Sequence, residues 1–294
     1  MKALLLTLTL VTLTPARAHA CASCACGDPT LTALGTEKPA RNRVRASLEA
    51  RHRVDVVGAP GVDELHLWEQ RLDGQLAWAP HERLFLLASL PVLRRELAYD
   101  DGFRRRTWGL GDLEVRAKFF LLQDRAFSPR HLVAVMGGAK LPTAPVDRRL
   151  AGQPLPPELQ AGTGSFDAMV GASYAHFAFP WSAYASAQLA LPGPGIAGTR
   201  AGRSLRGTVA AQRHLGEIVA VRLALDSRFD GQGLESGAPD PNSGGFIAFA
   251  APELLVSPVT DLSLSVWIKI SLLNRLDGRH EEPFVAGVAA AYDF

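Results

Sequence analysis

The sequence predicts an all-β fold, a transmembrane antiparallel up-and-down β-barrel of about 12 strands. Three observations predict it. A short apolar segment of the export type stands at the N-terminus, long segments alternate between apolar and polar residues, and the links between these segments alternate between short and long. Together they favour a barrel that crosses a membrane over a soluble domain.

The N-terminus has the three parts of a secretory signal peptide. Lys2 supplies a positive charge, residues 3–14 form an apolar run, and Ala18 and Ala20 place small residues where a signal peptidase reads the chain. The run is too short to span a bilayer as a helix. We expect residues 1–20 to be removed and the mature chain to begin at Cys21; the alternative is a buried N-terminal helix.

The composition excludes several classes of protein. A net charge of +2 over 294 residues gives no basic excess for binding nucleic acid. Beyond the N-terminal run no stretch of about twenty apolar residues occurs, which excludes a transmembrane helix. Phosphate-loop, zinc-protease and dinucleotide motifs are absent from the sequence, and the spacing of Ser173 and His176 selects no hydrolase pair. We therefore expect no enzyme.

A period of two residues predicts the strands. In residues 111–122 the charged side chains of Asp112, Glu114, Arg116 and Lys118 fall on one face of a strand and apolar side chains fall on the other. The same pattern predicts strands at 43–55, 65–79, 83–97, 110–123, 131–142, 165–178, 181–191, 204–214, 217–229, 245–257, 260–273 and 283–294. Most exceed the ordinary strand of about five or six residues and match the length that a tilted membrane-spanning strand needs.

The links between the predicted strands differ in length in a regular order. Short links are predicted at 81–82, 179–180, 215–216 and 258–259, with a medium one at 124–130. Long links rich in Gly, Pro, Asp and Arg are predicted at 56–64, 98–109, 143–164, 192–203, 230–244 and 274–282. This asymmetry is typical of outer-membrane barrels, whose short turns are periplasmic. An even strand number places both termini on the periplasmic side.

Two strands lack the simple alternation, and the last strand ends on an aromatic residue. Residues 84–93 and 246–251 are apolar on both faces, so we expect them to contact an inward-folded loop or to line an apolar part of the lumen. The final strand alternates and ends at Phe294. A terminal aromatic residue of this kind resembles the signal that the barrel-assembly machinery of the outer membrane recognises.

Three cysteines stand together after the expected cleavage site. Cys21, Cys24 and Cys26 could bring three thiolates to one soft metal ion, Cu(I), or zinc with a fourth ligand. A disulfide between two of them and lipidation of Cys21 are the alternatives. The predicted organisation is thus a signal peptide at 1–20, a periplasmic Cys-containing segment at 21–41 and a barrel at 42–294.

The strand register also predicts which charges face the lumen. If the apolar faces point to lipid, the opposite faces direct a mixed set of cations and carboxylates inward. This set is Arg45, Glu49, Arg51, Asp112, Glu114, Arg116, Lys118, Lys140, Asp167, Arg206, Arg222, Asp226, Arg228, Glu253, Asp261 and Lys269. Two interpretations remain open: ion pairs that fill a narrow barrel, and a pore with a mild preference for anions.

Three short stretches resemble those of a known family. They are Gly-Leu-Gly-Asp-Leu at 109–113, Gly-Ala-Lys-Leu-Pro-Thr at 138–143 and Ala-Gly-Thr-Gly-Ser-Phe-Asp at 161–167. In this order they resemble the outer-membrane barrels described as phenol-degradation meta-pathway proteins or transporters. Ala144 stands where the family has Gly. The resemblance covers roughly residues 40–294 and implies an outer-membrane barrel of a Gram-negative bacterium that passes small, aromatic compounds.

The function predicted from the sequence is passage or binding of small solutes by a barrel surrounded by outer-membrane lipid. The alternative is a structural or sensing barrel whose N-terminal Cys segment handles a soft metal such as copper for a periplasmic partner. The sequence names no substrate, and it predicts no nucleic-acid partner.

Overall fold

Each of the twelve alternating segments forms a strand in the computed structural model. The structure describes residues 41–58, 64–99, 102, 104–125, 129–146, 149–150, 153–155, 159–235, 237–241, 243–278 and 280–294. In chain order the strands are β1 (Val44–Val57), β2 (Leu65–His81), β3 (Leu84–Tyr99), β4 (Arg104–Leu110), β5 (Leu113–Gln123), β6 (His131–Leu141), β7 (Arg149–Leu150), β8 (Gln153–Pro154), β9 (Asp167–Ala178), β10 (Trp181–Pro192), β11 (Ser204–His214), β12 (Val219–Asp230), β13 (Leu234–Glu235), β14 (Ala238–Pro239), β15 (Gly245–Val259), β16 (Leu262–Leu276), β17 (His280–Glu281) and β18 (Phe284–Asp293). A single turn of 3-10 helix lies at Ile196–Gly198.

Antiparallel pairing joins the long strands into a closed ring. β4 and β5 both pair with β3 and form one wall strand that is interrupted at Gly111 and Asp112. The ring closes because β1 pairs with β2 on one side and with the last strand, β18, on the other. Counting β4 and β5 as one, twelve strands form the wall, as the sequence predicts. The short strands β7, β8, β13, β14 and β17 belong to the long connections.

Alternation along each strand separates a lipid-facing surface from a lumen. On β16, Val266 and Ile270 are exposed on the outer face, whereas Ser265 and Trp267 are buried on the inner face. Exposed apolar side chains cover the outer wall at comparable positions on the other strands. Exposed aromatic residues form a belt near the short turns, at Trp78, Tyr174, Phe179, Trp181, Tyr292 and Phe294. A lipid-facing apolar band with aromatic residues at its edge identifies a membrane-spanning barrel.

The two doubly apolar segments keep one apolar face in the lumen, as expected. On β3, Phe85 and Leu87 point inward and are buried, and on β15 Ile247 and Phe249 do the same. Within the described ranges, no helix combines the length and hydropathy that crossing a bilayer requires.

The predicted long link at 98–109 is wrong, because β3 continues to Tyr99 and Arg104–Leu110 forms β4, which pairs with β3. Other turn positions differ from the prediction by one or two residues. The β2–β3 turn lies at Glu82 and Arg83, the β11–β12 turn spans 215–218, and the β15–β16 turn lies at Thr260 and Asp261. β15 continues to Val259 because a register irregularity between Val256 and Val259 lengthens it. Asp261 is therefore exposed in a turn, and the prediction that it faces the lumen from a strand is wrong.

The medium-length turn between β5 and β6 is closed by one carboxylate. Asp124 Oδ1 accepts hydrogen bonds from the backbone N–H groups of His131 at 2.9 Å and Arg130 at 2.8 Å. Hydrogen bonds to the ionised carboxylate favour that form, so they hold the pKa of Asp124 below its usual range. The charged side chain thereby satisfies two backbone donors that no strand partner reaches.

The orientation of β16 predicts how substitutions depend on depth in the membrane. Val266 lies near the middle of the outer apolar stripe and Leu272 near its extracellular edge. We expect Val266→Arg to lower the free energy of unfolding in lipid vesicles by about 2–4 kcal/mol and Leu272→Arg by about 0–1 kcal/mol. Denaturant titration followed by gel mobility of unheated samples measures both. Equal losses of unfolding free energy in the two variants would contradict the placement of Val266 at the middle of the membrane and of Leu272 at its edge.

Candidate functional site in the barrel lumen

The long connection between β6 and β9 is fastened to the barrel by Asp112. At the interruption between β4 and β5, Asp112 Oδ1 accepts a hydrogen bond from the backbone N–H of Ala144, and Oδ2 accepts one from the N–H of Thr163, both at 3.1 Å. Thr143 Oγ1 accepts the N–H of Leu113 at 2.9 Å. The stretches at 109–113, 138–143 and 161–167 therefore meet at one place, which we call the loop clamp.

Charge and close packing complete the loop clamp. Lys140 forms an ion pair with Asp167 and donates a hydrogen bond to Thr163 Oγ1 at 2.6 Å. A Cβ added at Gly162 would lie 2.6 Å from both Ala144 Cβ and Asp112 Oδ1, so only glycine fits there. Asp112, Lys140 and Asp167, which the sequence analysis assigns to the lumen, thus hold the loop in position.

Beyond the loop clamp, the connection folds inward against β3 and β4. Leu155 and Leu159 are buried against Leu97 at the extracellular end of the lumen. Arg95 donates a hydrogen bond to the backbone oxygen of Gln160, and Thr107 donates one to that of Leu159, both at 2.8 Å. An inward-folded loop therefore narrows the extracellular half of the barrel.

Two adjoining cavities occupy the extracellular half of the lumen. The outer one, here called the vestibule, has a volume of about 580 Å³ and is lined largely by the connections after β10 and β12. The inner one, here called the charged cavity, has a volume of about 310 Å³ and is lined by wall strands and by Glu282 in the connection before β18. Arg53, Arg206, Arg228 and Glu282 border both cavities. A solute leaving the vestibule would pass these four side chains first.

The charged cavity carries an excess of positive charge. Eight cations line it against four carboxylates, an excess of four. The cations are Arg51, Arg53, Arg71, Arg95, Arg116, Arg206, Arg228 and Lys269, and the carboxylates are Glu69, Glu114, Asp226 and Glu282. Asp55, Asp73 and Asp230 lie outside this lining but pair with Arg53, with Arg51 and Arg71, and with Arg228; when they are counted, eight cations stand against seven carboxylates. Phe249 and Trp267 add two aromatic rings to the lining.

Ion pairs orient most of these cations along the wall. Arg95 Nε donates to Glu69 at 2.7 Å, Lys269 Nζ lies 2.7 Å from Asp226, and Arg116 pairs with Glu114. Arg228 pairs with both Asp230 and Glu282. Such pairs hold long side chains along the wall that surrounds the cavity. These pairs agree with the interpretation of ion pairs along the lumen, which stays a prediction together with that of an anion-preferring pore.

The periplasmic half of the lumen is divided between an apolar side and a polar side. Inward side chains of β2, β3, β5, β6, β9, β10 and β11 form a buried apolar cluster that includes Phe85, Phe120 and Tyr184. Lys118 is buried beside it, with Nζ 5.2 Å from the centre of the Phe120 ring. At this distance the face of the ring attracts the ammonium group of Lys118. On the other side, Arg222 pairs with Glu253, and Arg45 Nε donates to Asp293 at 2.8 Å.

The structure thus divides the predicted charges among distinct places. Arg51, Glu114, Arg116, Arg206, Asp226, Arg228 and Lys269 line the charged cavity. Arg45, Glu49, Arg222 and Glu253 are buried on the polar side nearer the periplasmic end. Five further residues that the sequence did not predict for the lumen also line the cavity: Arg53, Glu69, Arg71, Arg95 and Glu282. Arg53 shares the inner face of β1 with Arg51, so the period of two could have identified it, whereas Glu282 lies outside any long strand.

Neither of two possible reactive groupings forms a site. Ser173 is buried on the inner face of β9, whereas His176 pairs across the outer face with His131 at a ring distance of 4.6 Å. Asp55, His280 and Glu282 lie close enough together to hold a metal ion. Arg53, however, lies 2.6 Å from Asp55, and Arg228 pairs with Glu282, so guanidinium groups already neutralise these carboxylates. Cys21, Cys24 and Cys26 lie outside the described residues, so the metal hypothesis for them stays a prediction.

Removing the carboxylate of the loop clamp should loosen the loop selectively. In Asp112→Ala the N–H groups of Ala144 and Thr163 lose a charged acceptor, so we expect amide hydrogen exchange in peptides covering 142–166 to rise about tenfold to a hundredfold. Exchange measured by mass spectrometry tests this. Asp261→Ala in the exposed β15–β16 turn is the matched control and should leave the same peptides unchanged. Equal exchange in both variants would show that the loop is held by its apolar packing alone.

A solved structure has a similar fold. A crystallised outer-membrane channel from Pseudomonas putida F1 is similar over 87% of this chain and 96% of that one, with a TM-score of 0.69 and 14% sequence identity. The translocator domain of the autotransporter NalP from Neisseria meningitidis (90% and 94% covered, 11% identity, TM-score 0.47) and the P. putida toluene transporter TodX (87% and 91%, 9%, 0.47) also match. No protein-family model and no curated protein matches the chain. The similarity to the first channel shows that the fold is that of an outer-membrane β-barrel.

Proposed function

We propose that this barrel passes small organic anions across the outer membrane through the vestibule and the charged cavity. The observation that carries the proposal is the charged cavity itself, in which cations outnumber carboxylates within a volume of about 310 Å³. A lumen lined by excess arginine lowers the electrostatic barrier for anions and raises it for cations. The volume suits a molecule of modest size.

The aromatic rings of the charged cavity support a narrower class of solute. Phe249 and Trp267 lie in the same lining as Arg206 and Lys269. An arginine beside an aromatic ring offers a carboxylate partner and an apolar surface within one small space. Aromatic carboxylates combine both features. The resemblance of the stretches at 109–113, 138–143 and 161–167 to the phenol-degradation transporter family favours an aromatic solute and does not bear on its charge.

A polar strip toward the periplasmic end supports passage as well as binding. Arg222, Glu253, Ser263 and Ser265 are buried on the inner faces of β12, β15 and β16, opposite the apolar cluster. Polar side chains along one side of a lumen offer hydrogen-bonding partners to a solute that has left water. The route we propose follows this strip. The alternative function, handling of a soft metal by the Cys segment, has no support from the described residues.

Anion preference is the measurable consequence. In planar bilayers with a KCl gradient, the reversal potential should show that chloride passes more readily than potassium. Arg206→Glu reverses one exposed charge at the border of the two cavities, and we expect it to lower the chloride-to-potassium ratio by roughly threefold to tenfold. Benzoate should block the chloride current of the wild-type protein at lower concentration than benzyl alcohol does.

Arg213→Glu, which makes the same charge reversal, is the matched control for this experiment. Arg213 also lies on β11, but on its outer face, 5.4 Å from the Trp181 ring. Its reversal should leave the selectivity unchanged. Absence of any channel current from folded wild-type protein, or a preference for potassium, would contradict the proposal.

A further inference from the structure

One charged surface of the barrel has no part in the lumen. It lies on the outer face of the extracellular ends of β2, β3 and β4, and we call it the rim patch. It consists of Trp68, Arg94, Glu96, Arg104, Arg106 and Trp108. On most other strands the outward residues near the long connections are apolar, among them Val170, Leu205, Phe229 and Leu272. The rim patch is therefore a local departure from the apolar outer wall.

Strand register brings the members of the rim patch side by side. Arg94 on β3 is paired with Trp108 on β4, and Glu96 is paired with both Trp68 on β2 and Arg106 on β4. Arg104 lies one row farther out, opposite Ala98. Residues of the same face that are paired across antiparallel strands have neighbouring side chains. Three guanidinium groups thus share an area about three strands wide.

The charges of the rim patch do not cancel. Glu96 is the partner of both Arg104, at 3.5 Å, and Arg106, at 2.7 Å. Arg94 is exposed and forms no hydrogen bond or ion pair within the part of the chain that the structure describes. Arg104 and Arg106 remain more than half exposed in spite of their pairs. One carboxylate shared by two arginines leaves donors of all three guanidinium groups for a further anion.

An apolar groove lies directly below the rim patch on the membrane side. Its volume is about 750 Å³, and its lining includes Ala50, Leu72, Val92, Val266, Ala286 and Val288 on the outer face. Arg94 and Trp108 belong to the same lining and stand at its extracellular end. The groove forms where the small side chains of Ala50 and Ala286 lie between longer ones. The groove is thus cationic at its extracellular end and apolar below it, which matches a lipid with an anionic headgroup and acyl chains.

We propose that the rim patch and the groove bind the phosphorylated glycolipid of the outer leaflet, with its phosphates on Arg94, Arg104 and Arg106 and an acyl chain in the groove. The long connections of such barrels are extracellular, so the patch lies at the level of outer-leaflet headgroups. Arginine binds phosphate through paired N–H donors, and exposed Trp108 fits the interface between headgroups and chains. A zwitterionic phospholipid carries a cationic ammonium beside its single phosphate, so its headgroup has no net negative charge to offer these arginines.

Lipid binding to the purified, folded full-length protein tests the proposal. Native mass spectrometry from detergent compares bisphosphorylated lipid A with the same lipid after removal of both phosphates. We expect the wild-type protein to bind the phosphorylated form more tightly by about tenfold to a hundredfold, because each arginine near a lipid surface contributes roughly 1 kcal/mol. The variant R94Q/R104Q/R106Q should lose that preference. Ala50→Leu fills the groove and should weaken the binding of both lipids equally.

Controls separate this site from general effects. Arg213→Gln removes an outward arginine at the opposite end of the wall and should bind lipid A as the wild type does. Heat-dependent gel mobility reports whether the triple variant folds. If it does not, Arg94→Gln alone should still lose part of the preference for phosphorylated lipid A. Inorganic phosphate at millimolar concentration should not displace the lipid. Equal binding of phosphorylated and dephosphorylated lipid, or an unchanged preference in R94Q/R104Q/R106Q, would overturn the proposal.

Discussion

Closure of the backbone hydrogen bonds between the first and last wall strands is the constraint on which the rest of this structure depends. Hydrocarbon offers no partner to a backbone N–H or C=O group, so a sheet crosses a bilayer only as a ring. Here β1 pairs with β18 from Arg45 and Asp293 to Arg53 and Val285. Beyond that register, Phe294 N donates to Val44 O at 2.8 Å. With the ring closed, each residue must face either lipid or lumen, and the sequence alternates accordingly.

A ring of twelve strands encloses a lumen that side chains fill unevenly. Its two halves contain different kinds of side chain. Apolar side chains close much of the periplasmic half, whereas arginines, carboxylates and an inward loop occupy the extracellular half. Buried ion pairs are weak sources of stability because desolvation offsets their attraction. Their value lies in position: the pair of Arg95 with Glu69 also places the donor that holds the loop at Gln160.

The sequence predicts the wall well because the wall obeys a local rule. A period of two identifies the faces of β1 and β16 residue by residue, and the twelve-strand count follows from it. Elements that depend on distant contacts are less accessible. The period of two predicts Asp112 only as a further lumen charge. Its hydrogen-bond partners, Ala144 and Thr163, lie 32 and 51 residues farther along the chain, so no local pattern indicates them. The end of β15 and the position of Asp261 differ from the prediction, because an irregularity in strand pairing interrupts the period of two.

The arginines show why register, and not composition, decides function in this fold. Arg94 and Arg95 are neighbours, but the pleat sends the first to the lipid interface and the second to Glu69 in the lumen. The run Arg104, Arg105, Arg106 divides in the same way, with the middle residue inside. A net charge of +2 for the whole chain conceals both concentrations of cations. Because successive side chains leave opposite faces of one strand, a single arginine-rich segment serves two separate surfaces, and a shift of one residue would exchange them.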